Sequence, residues 1–266
     1  MGLKTKLYED FFKPNRLPSY EKTLLHARHN GYKMLGILDF YQIVLGDPLF
    51  YENGVKYLLN RHDIDTSPRV AREMFEIEKR VYGKDGSATY YFRDSTTDLG
   101  LIKEIDAYGY EAAYHYEELA TYEKKHKFKN TRILREHLPE MGQQFITDIE
   151  KFRSITGVQS VSVASHGDFV NTKLQMQSYE ILSQDDIRKA ASITVEAYDE
   201  TINKYVKARF ADQILVARFS EEVIKSIDSN CPIILMLTHP RNWKVDIRDN
   251  IRENFVRLIQ GISYEV

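Results

Sequence analysis

The chain has 266 residues, 42% of them hydrophobic and 29% charged, which suits a globular protein of one large domain or two small ones. Its formal net charge of −2 provides no global field to attract nucleic acid or an acidic membrane. A single cysteine, Cys231, excludes a disulfide within the chain, and no apolar run approaches the length that spans a bilayer.

Residues 1–50 read as an N-terminal helical extension ahead of a main domain, 51–266. The first ten residues lack the apolar stretch of a signal peptide, so a cytoplasmic location is expected. A helix is predicted over Tyr20–Asn30. Its His26 and His29 share a face, where a surface role is expected rather than metal binding. Tyr41–Leu45 fits a short helix or a strand. From there strands and helices alternate. A strand starts near Val55, is apolar through Leu59 and ends at Asp63 and Asp65. Pro68 suits the first turn of the next helix, with Asp65, Thr66 and Ser67 all suited to its N-cap. Val70, Met74, Ile77 and Val81 follow at helical spacing. Strands are then predicted over Ser87–Phe92, Glu111–His115, Ser160–His166, Ile193–Ala197, Ile214–Ala217 and Pro232–His239. Helices are predicted over Leu101–Tyr108, from about Thr131 to Thr156, over Ser220–Asp228 with Ser220 as N-cap, and over Arg248–Ile259. Gly109 and Gly157 should stop two of them. Lys124–Lys129 reads as a basic, solvated loop.

This rhythm implies an α/β protein with parallel strands and right-handed crossovers, either an open doubly wound sheet or a closed barrel. No Gly-rich turn follows the first strand, so a dinucleotide-binding version is not expected. Strand ends carry the chemistry. Asp63 and Asp65, two apart in an extended chain, face the same side. Two carboxylates that close need a compensating charge if both are buried and ionised. His115, His166 and His239 end three other apolar strands. One or two carboxylates with two imidazoles form a ligand set for zinc or another divalent first-row ion. Arg61, Arg93 and Arg241, also near strand ends, could hold a substrate carboxylate or phosphate, or could pair with Asp63, Asp94 and Asp246. Trp243, the only tryptophan, could stack on a sugar ring or pack as a lid. The 18 tyrosines would suit a sugar-binding surface, but tyrosine also fills cores, and the core reading is preferred.

Arg61-His62-Asp63-Ile64-Asp65 with Thr66-Ser67-Pro68, an amphipathic helix and Ala88-Thr89-Tyr90-Tyr91-Phe92 resembles the polysaccharide deacetylases of the NodB-homology type, in particular a divergent branch whose first motif reads Arg-His-Asp-Val-Asp. Gly109–Glu117, Ser165-His166-Gly167 and Leu237-Thr238-His239-Pro240 extend the resemblance over about residues 55 to 245. The resemblance implies a distorted β/α barrel of about seven units and a divalent metal, usually zinc, held by one aspartate and two histidines. It also implies hydrolysis of the amide of an N-acylated sugar or surface-polysaccharide precursor, which could be nucleotide-linked or lipid-linked. Carried over, Asp63 is the general base, Asp65 and His115 are metal ligands and His239 is the general acid. Better-known members have a second histidine one helical turn after the first; here that position is Leu119. His166 is therefore the expected third ligand, with Glu117 or Glu118 as fallback. Because Ile64 splits the usual tandem aspartates, the roles of Asp63 and Asp65 could be exchanged. The alternatives are a deamidase or ester hydrolase, or a carbohydrate-binding barrel without catalysis. The extension before residue 50 could pack over the barrel or onto another subunit.

Overall fold

The structure, a computed structural model, describes residues 3–47, 49–212 and 216–265. One sheet of parallel strands is made by β1 (Tyr32–Leu35), β2 (Lys56–Ile64), β3 (Thr89–Phe92), β4 (Glu111–Tyr116), β5 (Ser162–Ser165), β6 (Val195–Glu196), β7 (Ala208–Ala211) and β8 (Ile233–Thr238). The order across it is β6-β5-β4-β3-β2-β8-β7, with β1 also paired to β2. The sheet curls and is flanked by helices, as in a distorted β/α barrel.

Alternation along β2 explains how one strand serves two layers. Tyr57 and Leu59 face the concave interior, where they pack with Tyr91, Ala113, Ala164, Leu235 and Leu237. Leu58 and Ile64 face the outer layer, against Met74 and Phe75 of the helix Pro68–Val81. The helix Ile37–Gly46 packs into the concave cluster through Ile37, Phe40 and Val44. The segment before residue 50 thus adds a strand as well as helices, because β1 pairs with the first half of β2 while β3 takes the second half of the same edge. Sequence periodicity missed β1, whose four residues Tyr-Lys-Met-Leu are too short to show alternation.

Several boundaries follow the predicted chemistry. Pro68 opens its helix. Gly109 and Gly157 end theirs with φ of +89° and +81°, values that glycine adopts without steric cost. Three readings are corrected. The segment from Thr131 is two helices, Thr131–Glu136 and Leu138–Thr156, because Pro139 starts a new helix rather than continuing one. Lys124 is not in a solvated loop; it lies in the helix Glu118–His126, and its ammonium sits 2.6 Å from Asp168 Oδ2. The sixth main-domain strand is Ala208–Ala211, not Ile214–Ala217. Ile214 and Leu215 lie outside the described residues, and Val216 begins the helix Val216–Asp228, so Ser220 is inside that helix rather than capping it.

Candidate functional site

Each strand from β2 to β8 delivers a polar side chain at or just past its C-terminal end: Asp63 and Asp65, Arg93, His115, His166, Glu196, Asp212 and His239. In a curled parallel sheet these ends share one rim. Asp65 is where most of them meet. Its Oδ1 lies 3.3 Å from His115 Nε2 and 3.5 Å from His166 Nε2, and its Oδ2 lies 4.0 Å from His239 Nε2. His115 Nε2 also stands 3.5 Å from Asp63 Oδ2.

Two of the three imidazoles are fixed from behind. His115 Nδ1 donates to the Ala164 carbonyl at 2.8 Å, so Nδ1 carries a proton and Nε2 is the atom turned to the carboxylates. His239 Nδ1 lies 2.7 Å from Asp212 Oδ1. His166 is the exception: its Nδ1 makes no hydrogen bond, and Glu117 Oε2, 3.4 Å away, instead accepts from Arg93 Nη2 at 2.7 Å. Anchoring one ring nitrogen to orient the other is the usual arrangement behind metal-ligating histidines.

The charges are strongly coupled. Burial alone would raise the Asp63 carboxyl, but Arg61 and then His115 outweigh it and hold the group below the usual carboxylate range. Asp65 is likewise raised by burial and lowered more by His166, His115 and His239, ending well below that range. Burial lowers His166 and His239, yet Asp65 lifts the first and Asp212 the second, each to about 9. Glu117, raised by burial and lowered by His166 and Arg93, comes to about 2.

Two features bear on whether a divalent ion fits these residues. Asp65 Oδ1 is buried and has no hydrogen-bond partner, although two imidazole nitrogens face it. Ligand atoms at ordinary zinc distances and tetrahedral angles stand roughly 3.3–3.6 Å apart. The Asp65–His115 and Asp65–His166 separations, 3.3 and 3.5 Å, match that spacing. Among the described residues no three His, Cys, Asp or Glu donors are gathered together into a metal-holding group, so the fit is pairwise around Asp65.

The structure thus brings together Asp63, Asp65, His115, His166 and His239. It redirects others. Arg61 is fully buried and its fork is on Asp63, with Nε to Oδ1 and Nη2 to Oδ2 both at 2.8 Å, so it is the aspartate's partner rather than an open substrate contact. Arg93 pairs with Glu117 rather than Asp94, and Arg241 pairs with Asp10 rather than Asp246. Trp243 is fully buried against Tyr20 and Phe219, and its Nε1 donates to Asp212 Oδ2 at 2.8 Å; no ring face is free to stack on a sugar. Glu118 belongs to the outer layer, where Tyr114 donates to it at 2.9 Å. Asp212 escaped the sequence reading. It directly follows β7, and the rule that located the other residues would have found it had that strand been placed correctly. Compared with family models, curated proteins and solved structures, the chain matches none.

Proposed function

We propose that this protein is a metal-dependent hydrolase that cleaves the amide of an N-acylated sugar or of a surface-polysaccharide precursor, on a NodB-like barrel. The observation carrying the proposal is the gathering of His115, His166 and His239 around Asp65, with one buried carboxylate oxygen unpartnered. Asp65, His115 and His166 would hold a divalent ion, which supplies Lewis acidity toward a carbonyl and toward water when bound.

The protein's own groups supply the proton chemistry. Asp63, kept ionised by Arg61, is positioned as the proton acceptor for an attacking water. The arginine also fixes the carboxylate's rotamer, so its orientation does not depend on the substrate. His239, raised to about 9 by Asp212 in spite of burial, is protonated at neutral pH and is the proton donor for a departing group. A protonated donor matters most for an amine, a very poor leaving group without a proton, and this favours an amide over an ester.

The test is metal analysis joined to product analysis. Protein purified without chelators is expected to carry or take up one equivalent of zinc or a similar ion, and to release acetate from an N-acetylated amino sugar. Failure to bind any divalent ion on titration sinks the hydrolase reading.

A further inference from the structure

Beside Asp65 the rim opens into a cleft of about 420 Å³ between the start of the helix Pro68–Val81, the segment after β3 and the C-terminal helix Ile247–Glu265. Its lining includes three polar side chains that are more than nine-tenths buried: Thr66, Ser67 and Arg93, at 4%, 0% and 8% exposure. Thr66 Oγ1, Ser67 Oγ and Arg93 Nε have no hydrogen-bond partner. Buried polar atoms without partners are uncommon and costly. Ser67 is the N-cap residue, in a position where its hydroxyl would ordinarily satisfy a backbone N–H of the first turn. It makes no such bond, and its φ is +61°. Pro68 has no N–H and Val70 N–H donates to the Ser67 carbonyl at 2.9 Å, so the helix start offers the Arg69 N–H beside the two hydroxyls. Arg69 and Arg252 also line it.

The carboxylates on the cleft wall are mostly engaged. Glu117 is 2.7 Å from Arg93, and Glu253 is 3.9 Å from it. Asp98 accepts from Leu101 N at 3.0 Å as the cap of its own helix. Asp249 faces the Ser67 amide; partial burial and Asp246 raise its carboxyl, while Arg252, Arg69 and that amide oppose the rise. The unused donors are the two hydroxyls, the Arg69 N–H and guanidinium N–H groups; the one unpartnered carboxylate oxygen on the wall is Asp65 Oδ1, which the proposed metal would take.

We infer that this cleft is a subsite for an oxyanion carried by the substrate, a phosphate or a sugar carboxylate, held by Thr66, Ser67, Arg69, Arg93 and Arg252 next to the Asp65 centre. The inference rests on the hydrolase reading for the word substrate, while anion binding stands independently of turnover. It makes the preferred substrate an acidic or phosphorylated N-acyl sugar rather than a neutral one. Charge-assisted bonds from arginine and a helix N–H are suited to such a group.

The experiment uses full-length, metal-free protein, so that no ion competes as the anion's partner. Calorimetric titration with inorganic phosphate and, separately, with glucuronate distinguishes the two sources. Saturable binding of at least one is expected, weakened about tenfold or more in Arg252→Gln and in the near-isosteric Thr66→Val. Arg252 is exposed, so its variant is expected to fold, with a thermal melt as the check. Absence of saturable binding by both anions overturns the inference, as does binding unaltered in both variants. Anion binding without amide hydrolysis removes the hydrolase reading alone; hydrolysis of neutral N-acyl sugars without anion binding removes the subsite alone.

Discussion

Arg61 and Asp63, two residues apart on one strand, hold each other through paired hydrogen bonds of 2.8 Å, with both side chains withdrawn from solvent. Asp63→Asn keeps the shape and removes the charge. Two losses are expected. Turnover should fall by about 100-fold or more, the scale of a lost general base. Stability should fall by about 3 kcal/mol, because the Arg61 guanidinium stays buried without a counter-charge. Steady-state kinetics and urea unfolding measure them separately. A variant with full turnover excludes Asp63 as the proton acceptor.

Asp212 sets the proton affinity of His239, after burial the largest influence on it. A donor must be protonated, so activity should decline as pH rises through about 9. In Asp212→Asn, burial keeps its lowering effect while the raising charge is gone. The alkaline limb of the pH–rate profile should move toward neutrality. An unmoved limb excludes His239 as the group that titrates there.

Metal binding should be visible as stability. With zinc at about 100 times its Kd, the native state gains about 2.7 kcal/mol, provided the unfolded chain does not bind. The melting temperature should rise on addition of zinc and return with EDTA. His115→Ala and His166→Ala should each abolish most of the rise, whereas His26→Ala should not, since His26 pairs with Asp228 on the far helices.

Glu118 gives stability a second pH dependence, remote from catalysis. Burial, the largest influence, pushes its carboxyl from 4.5 up to about 8. Between those values the folded chain binds more protons than the unfolded one, so stability present below about pH 4.5 is lost as pH rises through 8. Glu118→Gln cannot ionise and should flatten that part of the curve. Glu111 and Glu196, each raised to about 7 mainly by burial, should leave a shallower slope up to neutrality. Unfolding free energies from pH 4 to 9 are the check, and identical slopes in both proteins contradict the assignment.

The motif around Asp63 serves two layers. Asp63 faces the rim, whereas His62 is fully buried on the opposite face, 2.6 Å from Glu78 Oε1 and within hydrogen-bond reach of Thr238. Asn60 and Tyr90 donate to the same glutamate at 2.7 and 2.6 Å. Glu78→Ala should therefore destabilise by about 3 kcal/mol or more, since it strips a buried network of its shared acceptor. Calorimetric melting measures the loss.

What the sequence made legible follows the same division. Asp63, Asp65, His115, His166 and His239 were readable because each interrupts or ends an apolar run, and a polar residue there is conspicuous. Glu78 was hidden on a helix face that looks merely charged, and its buried partners come from three separate segments. Asp212 was hidden because β7 alternates between partly buried and exposed positions, a weak signal beside the apolar run that follows it. The roles of Arg61 and Trp243 depended on burial, which composition does not reveal: both occupy positions where an open side chain and an enclosed one read identically.

Among the described residues no main-chain ladder joins β6 to β7, the two edges of the curled sheet. From β7, Arg209 donates to Asn203 in the segment after β6, and from the central strand β2, Arg61 donates to the Tyr198 hydroxyl of that same segment at 3.3 Å and lies 4.6 Å over its ring. Every other pair of neighbouring strands would have to break backbone bonds to separate. The wall is thus stiff all round except along one line, and the segment just past one of its edges is tied to the central strand by the same guanidinium that grips Asp63. Displacing that segment and releasing that carboxylate would draw on one shared side chain.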